Sequence, residues 1–126
     1  MIVDSSAFVA IFRGEPEAKT FLEMMRAADD VSTAAPTALE TSMVLGADQG
    51  ERFSAFLHSQ MVDVVPFDAQ HFAAAQRAFA QFGKKSRSPA KLTFGDCMAY
   101  ALAKVSGEPL LYKADNFTHT DITPAL

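Results

Sequence analysis

The chain has 126 residues, 49% of them hydrophobic and 11 of them Phe, which is enough for one domain over residues 1–126 with a packed core and excludes disordered and collagen-like chains. A formal net charge of −4 excludes a protein that holds duplex nucleic acid through its whole-molecule field, so any nucleic-acid contact has to be local. A single cysteine, Cys97, excludes an internal disulfide. No apolar run reaches the length of a membrane span and the N-terminus lacks a secretory pattern, so the cytoplasm is the expected location.

In chain order, Met1-Ile2-Val3 followed by Asp4-Ser5-Ser6 and the apolar run 7–12 reads as a buried strand entering a helix, with Ser5 or Ser6 able to cap it. Asp4 would stand at a strand's carboxyl end, where open α/β sheets bind ligands. A carboxylate that merely caps the helix is the alternative. Arg13-Gly14-Glu15-Pro16 is turn chemistry, and the helix expected after it carries a broad stripe of Phe21, Leu22, Met24 and Met25, suited to a core or to a partner helix. Residues 31–35 predict a second strand ended by Pro36. From Thr37 a helix is expected with Glu40 in its first turn and Leu39, Met43, Val44 and Ala47 on one side.

Residues 51–61 continue as an amphipathic helix with Phe53, Phe56 and Leu57 inward, and residues 62–66 as a third strand. Asp68 is placed to cap a long helix that ends at Gly83. The stretch 84–91 is a loop by composition and holds Lys84, Lys85, Arg87 and Lys91 without an acid. Those four are candidates for phosphate contacts, or a solvated face. Thr93-Phe94-Gly95-Asp96 opens a further helix closed by Gly107; residues 109–113 give a fourth strand, and a tail around Asp121-Ile122-Thr123 offers a fifth. Helices alternating with short strands predict an α/β fold, a central parallel sheet of four to five strands covered by helices on both faces.

Four acids occupy comparable places: Asp4 after the first strand, Glu40 after the second, Asp96 at the start of a later helix and Asp115 after the fourth strand. Because strand ends of one polarity share an edge, these carboxylates could converge, although Glu40 could equally serve a helix dipole and Thr93 with Asp96 has capping-box spacing. With His58, His71 and His119 scattered and no HExxH or CxxC, a set of carboxylates makes a hard oxygen site for Mg²⁺ or Mn²⁺. A metal site of that kind supports phosphodiester hydrolysis. Ser6 stands next to it as a candidate substrate-site residue, placed to hydrogen-bond a carboxylate or a metal-bound water, or to cap the helix.

Taken together, Met1-Ile-Val-Asp-Ser-Ser-Ala-Phe, Arg13-Gly-Glu-Pro-Glu, Leu39-Glu40, Phe94-Gly-Asp-Cys-Met-Ala-Tyr-Ala-Leu-Ala-Lys and Leu110-Leu-Tyr-Lys-Ala-Asp-Asn-Phe-Thr-His-Thr-Asp-Ile resemble the PIN-domain ribonuclease toxins of the VapC family across essentially the whole chain. The resemblance implies a five-stranded parallel sheet and Mg²⁺- or Mn²⁺-dependent endonucleolytic cleavage of RNA. It also implies a homodimer, a VapB-like antitoxin that blocks the site, and metal-site acids at Asp4, Glu40, Asp96 and the Asp115 region. The chain departs from that pattern at Thr93, where relatives often carry Asn, and at Ala114-Asp115-Asn116, where they commonly carry Gly and then Asn-Asp or Asp-Asp. A receiver-like signalling module would need adjacent acids after the first strand, where this chain has Asp4-Ser5, and a dehalogenase-type phosphatase would need an acid at Ser6. A PIN-like module that binds RNA or protein without cutting is the remaining alternative.

Overall fold

Strand β1 (Ile2–Val3) forms the inner rung of a four-stranded, all-parallel sheet with β2 (Val31–Ala34), β3 (Val62–Val65) and β4 (Leu110–Leu111), ordered β3-β2-β1-β4. The computed structural model describes residues 1–126. Parallel strands covered on both faces must be apolar at every position. The central strands meet that demand: Ile2 is paired with Leu110 and Val3 with Leu111, and all four are buried. Successive side chains point to opposite faces, so Ile2 and Leu110 enter one hydrophobic cluster while Val3 and Leu111 enter the other.

The first cluster is built mainly with α5 (Ala69–Phe82) and α6 (Phe94–Ser106), the second with α1 (Ser5–Phe12), α2 (Ala18–Ala27) and α4 (Gly50–Ser59). Edge-to-face rings lock α1 to α4, with Phe8 and Phe12 each meeting Phe53 and Phe56 at centroid distances of 5.2 to 6.2 Å. Pairs of this geometry contribute roughly 1 kcal/mol each beyond their burial. They hold the helix that begins directly at Asp4. Between the layers, α3 (Ala35–Leu45) contacts both α1 and α6.

Helix boundaries follow local chemistry. Asp68 and Thr93 cap α5 and α6, each completing a reciprocal capping box with His71 and Asp96, and Gly107 ends α6 in the left-handed region at φ 71°. The cap of α1 is Asp4, as the capping reading of that acid had it, and not Ser5 or Ser6; its carboxylate accepts from the Ser6 amide at 3.0 Å. Two expectations need correction. The helix α3 begins at Ala35 with Pro36 in its first turn, two residues sooner than expected, which moves Glu40 into the second turn. The tail adds a single bridge between Leu110 and Pro124 rather than a full strand. No helix is long and apolar enough to cross a membrane.

Because β2 and β3 lie on one side of β1 and β4 on the other, the chain reverses direction across the sheet at the β1–β4 junction. The crevice beyond the carboxyl ends at such a reversal is where open α/β sheets bind ligands. Asp4 leaves β1 at that point.

Candidate functional site

Asp4 is 2% exposed, sealed by the helices that follow from β1. One of its oxygens, Oδ2, accepts from the Ser6 amide at 3.0 Å and from the Ser6 hydroxyl at 2.6 Å. The other, Oδ1, is buried without any hydrogen-bond partner. Burial pushes the Asp4 carboxyl up to about 6; the two Ser6 hydrogen bonds oppose that shift, and the nearby charges of Asp96 and Glu40 add to it. A buried carboxylate oxygen with no donor is costly unless something positive is brought to it.

Glu40 and Asp96 reach the same place from α3 and from the first turn of α6. The Glu40 carboxylate lies so close over Gly95 that a Cβ there would stand 1.8 Å from Glu40 Oε2. Only a glycine leaves that space, and it sets the carboxylate at the positive end of α6. Asp96 Oδ2 accepts from the Thr93 amide at 2.9 Å and from Asn116 Nδ2 at 2.8 Å. Asp96 thus serves as the capping acid of α6 while its charge acts on Asp4.

The charges of Glu40 and Asp96 both act on Asp4, so these three acids lie near one another. Asp115 opens a short 3-10 turn, Asp115–His119, and borders an open hollow with Ser6, Val9, Glu15 and Lys113. Its neighbour Asn116 takes the inward position. The Asn116 amide, at the position next to the fourth acid expected at Asp115, faces Asp96. Ser6 hydrogen-bonds a carboxylate, one of the two roles expected of it. Its hydroxyl proton is committed to Asp4 and its oxygen accepts from the Lys113 amide at 2.9 Å, so it orients that carboxylate.

The three acids are spread out: no group of three or more His, Cys, Asp or Glu side chains is gathered closely enough to hold a metal ion by itself. An open set of this kind fits Mg²⁺-like ions, which keep several waters and take one or two carboxylates together with substrate phosphate oxygens. The all-oxygen donors and the unpartnered Asp4 Oδ1 fit such an ion; a thiophilic metal has nothing to bind, because Cys97 is buried in the core with its thiol pushed up to about 11 by burial.

Lys84, Lys85, Arg87 and Lys91 are exposed on the loop between α5 and α6, and none has a carboxylate partner; Lys91 Nζ donates to the Ser86 carbonyl at 3.0 Å. A bridge between Gly83 and Leu92 closes the loop at its base, directly before Thr93. The loop thus leaves the sheet at the end where Asp96 sits, but its cations do not touch the acids. The stripe on α2 is mainly core: Phe21 and Met25 are buried and Met24 packs against them. Exposed apolar surface lies instead on α3 and the start of α6, where Leu39 (62% exposed), Met43 (72%), Val44 and Phe94 (79%) border a groove that also contains Glu40 and Gly95. Gly95 and Asn116 were not among the candidate residues. The Phe94-Gly95-Asp96 run was the available signal for Gly95, while nothing in the sequence distinguishes Asn116 from Asp115 as the inward residue.

Comparison with known proteins places this geometry in context. The chain matches the PIN domain family over residues 1–122. It is 42% identical to a ribonuclease VapC of Mycolicibacterium smegmatis, covering 97% of each chain, and 40% identical to ribonuclease VapC30 of Mycobacterium tuberculosis, covering 97% of this chain and 95% of the relative. Among solved structures it is similar to a toxin-antitoxin complex from Klebsiella pneumoniae (TM-score 0.73, 16% identity, 95% and 92% of the two chains). It is also similar to VapC20 of Mycobacterium tuberculosis, a sarcin-ricin loop cleaving toxin (TM-score 0.72, 19% identity, 98% of each chain).

Proposed function

The chain belongs to the PIN-domain family, among the VapC ribonucleases, and from that premise we propose that Asp4, Glu40 and Asp96 are the acids with which this endoribonuclease toxin cuts RNA. The observation that carries the assignment is Asp4 Oδ1, a buried carboxylate oxygen without a donor, beside two further carboxylates at the carboxyl edge of the sheet. Asp115 is left outside the set. A divalent ion is the family's cofactor, and the hard oxygen donors favour Mg²⁺ or Mn²⁺. When bound, such an ion supplies a nucleophile from water at neutral pH and offsets charge developing on the phosphate.

The chain's own residues set the geometry. Ser6 holds Asp4 Oδ2 and leaves Oδ1 without a partner, Thr93 and Asn116 fix one oxygen of Asp96, and Gly95 leaves room for Glu40. Lys84, Lys85, Arg87 and Lys91 are the cations free to meet the RNA backbone, which an acidic protein needs locally. The partner is a VapB-like antitoxin, and the whole of residues 1–126 acts as one cytoplasmic domain. The apolar groove of Leu39, Met43, Val44 and Phe94 supports a homodimer, since exposed apolar patches of this kind mark protein contacts and a two-fold pair buries the same patch twice. Leu39→Lys would then convert a dimer to a monomer in light scattering.

The deciding experiment replaces Asp4 and Asp96 by Asn. Each variant should lose Mn²⁺-dependent RNA cleavage while the far-UV spectrum stays native. Undiminished cleavage by either would remove that residue from the site.

A further inference from the structure

Lys113 is clamped between two carboxylates. Its ammonium meets Glu15 Oε2 in a short contact and lies 3.1 Å from Glu17 Oε2. These glutamates flank Pro16 in the turn between α1 and α2, a turn itself tied down by the Glu15 amide donating to the Ala10 carbonyl at 2.9 Å. At the other end of the residue, the Lys113 amide donates to Ser6 Oγ at 2.9 Å, two positions beyond the end of β4. The hydrogen bonds that the Lys113 ammonium donates to Glu15 and Glu17 raise its pKa, so the clamp stays charged.

A hydroxyl has one proton and two lone pairs. Once Ser6 Oγ accepts from a fixed amide, its proton has one strong acceptor in reach, Asp4 Oδ2 at 2.6 Å. That commitment decides which oxygen of Asp4 remains without a partner. We propose that Lys113, held by Glu15 and Glu17, is a positioning residue: it pins its own amide against Ser6, commits the Ser6 proton to Asp4 Oδ2, and so presents Oδ1 to a divalent ion. This rests on the assignment of Asp4, Glu40 and Asp96 as the metal-holding acids. The ion pairs themselves are half-exposed and contribute little to global stability. Their effect is local order.

Simple electrostatics gives the opposite sign, which makes the idea testable. Removing a cation near an acidic site should tighten binding of another cation, whereas losing the clamp should loosen it. Titration of the full chain with MnCl₂ alone, followed by calorimetry, reads this directly. Lys113→Met should weaken Mn²⁺ binding about tenfold, the Glu15→Gln/Glu17→Gln pair should do the same, and Lys113→Arg should recover most of it. In a Ser6→Ala background, itself weakened, Lys113→Met should add nothing, because residues acting through one shared partner are non-additive. Unchanged or tighter Mn²⁺ binding by Lys113→Met, or full additivity with Ser6→Ala, would overturn the positioning role. Failure of the underlying site is separately visible: Asp4→Asn and Asp96→Asn would then retain Mn²⁺ binding.

Discussion

The two edges of the sheet both carry acids, and only at one of them is a carboxylate buried. At the amino ends of β2 and β3, Asp29, Asp30 and Asp63 border an open hollow of about 660 Å³, with Arg26, His58 and the Met61 backbone around it. Those three carboxylates are exposed, and water screens them from one another. At the carboxyl ends, Asp4 is buried, Asp96 is fixed by two donors and Glu40 is seated over Gly95. Cavity size would favour the wrong edge. What separates the two is a desolvated charge with an unfilled lone pair, which only the carboxyl edge has.

The largest expected effect contrasts the edges directly. Replacing Asp29, Asp30 and Asp63 together by Asn should leave RNA cleavage at the wild-type rate, while Glu40→Gln alone should cut it severely. Equal losses at both edges in a gel-based cleavage assay would erase the distinction.

Gly95→Ala sharpens the same contrast from the backbone side. The added methyl can be met by swinging the Glu40 carboxylate away, the end of a flexible side chain. The melting temperature should stay near wild type while cleavage falls about 10- to 100-fold, as when a supporting contact of a metal site is lost. Unaltered cleavage would mean that Glu40 does its work from elsewhere.

A third effect concerns pH without metal. The Asp4 carboxyl is raised from 3.8 to about 6 in the folded protein, so the folded state binds this proton more tightly than the unfolded chain does. The stabilisation this gives is complete below the unfolded value and is lost as pH rises through about 6. At roughly 1.4 kcal/mol per pKa unit the span is on the order of 3 kcal/mol. In chelator, then, the wild type should lose stability between pH 4 and 6.5 relative to Asp4→Asn. Parallel denaturation midpoints for the two proteins across that window would show that Asp4 is not desolvated.

The smallest effect belongs to the basic loop. Changing Lys84, Lys85, Arg87 and Lys91 to Gln should weaken RNA binding and flatten its dependence on salt, since each released phosphate contact lowers the slope by roughly one. An unchanged slope would make the loop a solvated face.

Much of this was legible before any coordinates. The strand-to-helix junction at Asp4, the caps at Asp68 and Thr93 and the stop at Gly107 each follow from side chains that satisfy local backbone groups, so the sequence carries them without tertiary help. The orientation of α3 was not legible. Thr37 and Thr41 repeat at the same spacing as Leu39 and Met43, and the smaller pair faces the core because α1 and α6 close in on that side. The same limit applies to Asp115 and Asn116. Which of two neighbours on a tight turn faces inward is set by where Asp96 lies, a contact 20 residues away in sequence.

The central claim, that Asp4, Glu40 and Asp96 together form a metal site, is tested most directly by melting the wild type and Asp96→Asn in chelator and in Mn²⁺ at neutral pH. An ion that binds only the folded state stabilises it by about 2.7 kcal/mol at a hundredfold excess over its dissociation constant. Removing the Asp96 charge relieves repulsion of Asp4, so the variant should melt higher than wild type in chelator, gain little from Mn²⁺ and cut no RNA. A variant that melts lower in chelator and gains as much from Mn²⁺ as the wild type would make Asp96 a helix cap alone and contradict the shared site.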